Sequence, residues 1–130
     1  MMLAWSSYSS EPSGEVMHEL IGTRWVLLRL GDEAVTVREG TREPFFALQS
    51  GARLVGYGGC NRIATSYELE GLRLRFGQVI STRMFCPDNE TEDKLLHALG
   101  ATVRWQVRAS QLDLYDAQGT VAASFAARDL

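Results

Sequence analysis

Cysteine and histidine are scarce in this sequence: 130 residues hold two of each, Cys60, Cys86, His18 and His97. No C-x-x-C or H-x-x-x-H spacing occurs, so a zinc site would have to assemble from all four at irregular intervals, and no metal is expected. Long apolar runs are also missing. Trp25 to Leu28 is a strand-length segment, and no run approaches the roughly 18 residues that cross a bilayer. Residues 1–17 lack the basic and apolar regions of a signal peptide and read as a disordered lead-in to one domain over 18–130. The expectation is either a cytoplasmic chain or an export signal lying upstream. A net charge of −3 is too small to argue for a polyanionic or polycationic partner. Arginine supplies 12 of the 13 basic residues but does not cluster. Arg73 and Arg75 flank Leu74, and Arg104 and Arg108 bracket Trp105 to Val107, which is the solvent face of strands and not a nucleic-acid groove.

What is present is mostly strand. Apolar content of 45% and this length suit a single core. Strand patterns run from Arg24 to Leu30, Ala34 to Arg38, Pro44 to Leu48, Arg53 to Tyr57, Ile63 to Leu69 and Leu72 to Phe76. Three more follow, Thr102 to Arg108, Gln111 to Tyr115 and Thr120 to Ala126. Glu70-Gly71 reads as a hairpin turn. One helix is expected near residues 88–99. Asp88 or Asn89 can cap it, Glu92 completes a capping box, Leu95, Leu96 and Leu99 form its apolar stripe, and Gly100 suits its C′ position. The pattern predicts an α+β domain: an antiparallel, curved sheet or incomplete barrel of about eight strands with one packed helix. Six large aromatics fall in strands, Trp25, Phe45, Phe46, Phe76, Trp105 and Phe125. They either fill the interior or line an apolar cavity.

The stretch GYGGCNRIATSY, Gly56 to Tyr67, invites a chemical reading. A phosphate loop needs a helix immediately after its glycines, and here Asn61, Arg62 and another strand follow. Gly58 and Gly59 therefore read as a bulge or tight turn, with Asn61 tying down loop backbone. Cys60 and Cys86 admit three readings: a disulfide closing a loop of about 25 residues, worth roughly 3 kcal/mol, two inert buried thiols, or a nucleophile served by one of the two histidines. Ser81 and Thr82 lack a nucleophile-elbow pattern and read as partners for backbone. Arg62 and Arg83 are either loop anchors or solvated side chains.

Four segments in order carry a resemblance: LIGTRWVL from Leu20, GYGGCNRIATSYELEG from Gly56, ISTRMFC from Ile80, and LDLYDAQG from Leu112. They resemble the META domain, the HslJ heat-shock-protein family, over roughly Leu20 to Ala126. The resemblance implies a small β-rich fold with a packed helix, usually exported, often as a periplasmic lipoprotein or one module of an envelope protein. It implies association with heat shock, novobiocin resistance and, in one eukaryotic branch, virulence and motility, with no catalytic activity established for the class. The motif positions it carries here are Gly58, Gly59, Cys60, Asn61, Arg62, Thr82, Met84 and Cys86. The two central segments should meet at one end of the sheet, which would bring Cys60 to Cys86 and, in an exported chain, bond them.

The resulting expectation is a monomeric, non-enzymatic envelope domain, stress-related, without cofactor, that binds a protein partner or an apolar small molecule. The alternatives are a structural module of a larger envelope protein and a cysteine-dependent enzyme.

Overall fold

Alternating apolar residues in successive strands can all be buried only if the sheet curls round them, and here it closes. A computed structural model describes residues 19–36, 42–82, 86 and 89–128. Its strands are β1 (Arg24–Leu30), β2 (Glu33–Ala34), β3 (Phe45–Gln49), β4 (Arg53–Tyr57), β5 (Arg62–Glu70), β6 (Arg73–Phe76), β7 (Ile80–Ser81), β8 (Arg104–Arg108), β9 (Gln111–Tyr115) and β10 (Val121–Ala127), with helix α1 (Glu90–Ala101) between β7 and β8. All ten strands form one sheet, and every strand pairing is antiparallel. Because β1 pairs with both β3 and β10, eight strands make a ring, with β2 and β7 appended to it. The expected mostly antiparallel domain of about eight strands and one helix is borne out.

The ring is not equally strong all round. β1 and β10 share five register pairs across a bulge between Leu27 and Arg29. β6 and β8 share one, Arg73 opposite Arg104. Two flanking backbone bonds complete that joint, Leu74 N–H to the Val103 carbonyl (3.1 Å) and Trp105 N–H to the Leu72 carbonyl (3.0 Å).

Inside the ring, Trp25, Phe46, Phe125, Leu54 and Leu112 are fully buried. Phe46 meets the Phe125 ring edge-on at 4.7 Å and the Phe76 ring at 6.2 Å, geometries that add to the area they bury. Trp25 satisfies its indole N–H on the Leu20 carbonyl at 3.0 Å. The six strand aromatics do not all face inward. Phe45 sits on the opposite face from Phe46, half-buried beneath the Arg24 guanidinium. Trp105 is also half-buried.

Helix α1 packs on β1, β6 and β10, strands on opposite sides of the ring, so it lies across one end. Leu95, Ala98 and Leu99 turn inward. Two helix-end expectations need correction. Gly100 is helical, and the helix stops at Thr102, whose hydroxyl donates to the Ala98 carbonyl (2.8 Å) and whose N–H donates to that of Leu99 (3.2 Å). Asn89 is the N-cap residue but makes no side-chain cap bond, so the capping box does not form. Lys94 links the helix to β2 through Glu33 at 3.1 Å and to Glu90 at 3.2 Å. Hydrogen bonds to Glu33, then Glu90, raise its pKa, but an exposed pair of this kind contributes little.

Gly56 lies opposite Phe46 in the β3–β4 ladder. A Cβ there would meet the Phe45 carbonyl oxygen and, at 2.9 Å, Phe46 Cα. Because the obstructing atoms are mostly backbone of a paired strand, Gly56→Ala is expected to destabilise the fold by about 2 kcal/mol, measured by denaturant unfolding.

Candidate functional site

The loop between β4 and β5 is short and held from within. Gly58 N–H donates to the Asn61 carbonyl at 2.9 Å, which leaves Gly59 and Cys60 as the turn. Gly59 has φ +118°, a conformation that side chains disfavour. The Tyr57 hydroxyl donates to the Gly59 carbonyl at 3.1 Å.

Against this loop stands Glu92, in the first turn of α1 and only 3% exposed. Its Oε1 accepts the backbone N–H of Asn61 at 2.7 Å and of Cys60 at 3.1 Å. Its Oε2 accepts the Asn61 side-chain amide at 2.8 Å. The Asn61 amide oxygen in turn accepts the Thr82 hydroxyl at 2.8 Å, and Thr82 N–H donates to the Arg62 carbonyl at 3.2 Å. The carboxylate also sits at the positive end of the helix dipole. Charge-assisted bonds on both oxygens are what make a buried anion tolerable.

Gly58 belongs to the same contact for a steric reason. A Cβ at this position would lie 2.6 Å from Glu92 Cγ and 2.7 Å from Oε1. Cys60 and Cys86 are joined as a disulfide, with Cα atoms 6.2 Å apart, inside the range that a bridge spans. The bond and the carboxylate thus hold one loop from two sides.

The remaining sequence candidates are placed as follows. Asn61 is buried, Thr82 is part of the clasp, and Arg62 is an exposed first residue of β5. Met84, Arg83 and His18 lie outside the described residues. His97 is exposed on the helix. Among the described residues no group of three His, Cys, Asp or Glu could hold a metal. Glu92 is the residue whose role sequence reading misassigned. Its position three after Asn89 imitates a capping pattern, while its true partners lie more than thirty residues earlier.

A second buried carboxylate, Asp113 on β9, accepts from Ser124 (2.7 Å), Gln111 (3.1 Å) and Arg108 (3.1 Å). The alternation in LDLYD puts it on the outer face, and nothing local signals its burial. A shallow groove of ≈ 450 Å³ between α1 and β10, lined by Leu30, His97, Ala98, Ala101 and Val121 among others, is open to solvent.

The comparisons with known proteins agree with this geometry. A family model described as the META domain matches residues 18–129. A solved NMR structure of a protein from Burkholderia xenovorans is 27% identical, covers 93% of this chain and 99% of its own, and superposes with a TM-score of 0.67. Another NMR structure of a protein, 24% identical, covers 82% and 90% with a TM-score of 0.64. The crystal structure of a duf4847 family protein from Bacteroides vulgatus, 11% identical over 82% and 93%, has a TM-score of 0.59, a likeness of fold. Among curated proteins, none matches.

Removing the carboxylate takes the acceptor from three donors, two of them buried, so Glu92→Ala is expected to cost about 3 kcal/mol by denaturant unfolding. Gly58→Ala should cost about 2 kcal/mol by displacing the same carboxylate. The double variant should be no worse than Glu92→Ala within about 0.5 kcal/mol, because both changes dismantle one contact. Full additivity would mean that Gly58 acts elsewhere.

Proposed function

This chain belongs to the META domain family, and from that premise we propose that it is a monomeric, non-enzymatic domain of the cell envelope, stress-related, acting on a protein partner through its outer surface. The META domain is not a known enzyme family. One observation carries the reading: the polar residues that look most like chemistry are bound to one another. Glu92 has donors on both oxygens, Asn61 bridges Glu92 to Thr82, and the sulfurs of Cys60 and Cys86 are bonded. A carboxylate so engaged is no general base, and a disulfide is no nucleophile.

The envelope assignment is supported by the disulfide, since such bonds persist in oxidising compartments and are rare in the cytosol. The partner assignment is supported by the interior. Among the described residues, Trp25, Phe46 and Phe125 are fully buried at its centre, so the ring's own side chains occupy the space an acyl chain would need.

Two measurements test the reading. Cells carrying the natural reading frame are fractionated, and the protein is alkylated before and after reduction and weighed intact. It is expected in the envelope fraction, with both sulfurs unreactive until reduced; free thiols in a cytosolic fraction would overturn the assignment. Titration with fatty acids or an environment-sensitive apolar dye should show no saturable, competable binding to the native protein, whereas a saturable site would restore the small-molecule reading. Reduction should also lower the melting temperature, consistent with about 3 kcal/mol from closing a loop of this length.

A further inference from the structure

The arginines that alternate along two separate stretches of sequence meet at the weakest joint of the ring. Arg73 of β6 stands directly opposite Arg104 of β8, the one register pair of that joint. Like charges in this position are destabilising. Both are exposed, and among the described residues neither has an ion pair, although Glu70 stands opposite Arg73 on β5. The Arg104 guanidinium lies 4.4 Å above the Tyr115 ring.

Among the described residues, the same joint leaves backbone unpaired. Trp105 N–H reaches the Leu72 carbonyl at the base of the β5–β6 turn, and beyond it Gln106 to Arg108 pair with β9 alone. Alternate residues of an antiparallel strand direct N–H and C=O to opposite edges, so Val107, two residues past Trp105, presents both groups to the open side. Apolar side chains border this edge. Leu72 is 57% and Leu69 37% exposed at the hairpin tip, and Trp105 and Val107 are half-buried on one face of β8.

We propose that this open edge of β8 docks an extended, acidic segment of a partner polypeptide. The segment adds as a short strand beside Gln106 to Arg108. Its alternate apolar side chains lie against Trp105, Val107 and Leu72, and its carboxylates neutralise Arg73 and Arg104. An exposed strand edge has the hydrogen-bonding complement of another peptide backbone, which neither a phosphate polyanion nor a lipid surface supplies. Self-pairing of two β8 edges would set the arginine rows of both copies together. The proposal rests on the partner-binding reading above and names the chemistry of the partner.

The test uses the oxidised full chain, isotope-labelled for amide NMR, and a capped hexapeptide of alternating glutamate and valine. Saturable binding with Kd of about 100 µM is expected, as for a small interface, with shifts concentrated at Val107 and Leu72. Arg73→Glu should weaken it at least about tenfold. Its melting temperature should change little, because the opposite-charge pair gained with Arg104 is offset by a like-charge pair with Glu70. Arg104→Gln should weaken binding in the same direction, and Arg62→Glu, at the far end of β5, should leave it unchanged. A peptide with lysine for glutamate, or with alternate N-methylated amides, should not bind. Several outcomes would overturn the proposal: no saturation at about 1 mM peptide, shifts elsewhere, equal loss in Arg62→Glu, a resonance pattern of self-association, or competition by phosphatidylglycerol vesicles or single-stranded DNA. Failure here leaves the fractionation and thiol results standing, so the two readings fall separately.

Discussion

A carboxylate can be buried only where donors come to meet it, and much of this structure is arranged around that requirement. Glu92 projects from the first turn of α1 into the β4–β5 loop, where two backbone N–H groups and one side-chain amide receive it. The loop must therefore be narrow, which Gly59 permits through its positive φ, and it must approach closely, which the absence of a side chain at Gly58 permits. Pinning the helix start at one side of the ring lays α1 across the open end. Leu95 and Leu99 are then delivered to the core. The disulfide acts on the same loop and reinforces this placement.

The glycine-rich loop does bind an anion by its backbone N–H groups, as phosphate loops do, but the anion belongs to the protein. This explains why the segment looks chemical and is structural. The opening segment behaves alike: Thr23 donates to the Glu19 carbonyl at 2.7 Å, and Trp25 donates to that of Leu20. In the last one, Asp116 accepts the N–H groups of Gln118 and Thr120 at 3.0 and 2.9 Å, shaping the turn into β10.

Closing a sheet removes exposed edges, and with them the hazard of promiscuous strand pairing. The closure is uneven here because β6 is short and α1 enters between β7 and β8. The β5–β6 hairpin ends below the level reached by β8, so among the described residues part of that strand has a partner on one side only.

Local pattern determined a good deal. The limits of β1 and β9 follow from apolar strand segments ended by turn residues, and the sequence-based ranges coincide with the structure. The helix and its buried Leu95 and Leu99 follow from spacing alone. The β5–β6 turn falls at Gly71-Leu72, one residue beyond the expected Glu70-Gly71, because Glu70 pairs with Arg73. What escaped was decided at long range. β7 is two residues long and exists only because Ile63 and Ala64 are there to pair with it. Gly100 stays helical because Thr102, not glycine, ends the helix. Glu92 carries a local capping signal and takes distant partners instead, since desolvated backbone donors hold a carboxylate more strongly than an exposed cap does. Arg73 and Arg104 are ordinary solvent-face arginines in sequence, and ring closure alone sets them face to face. Periodicity over a few residues reports which side of an element is apolar; which elements meet is decided by the packing of the whole chain.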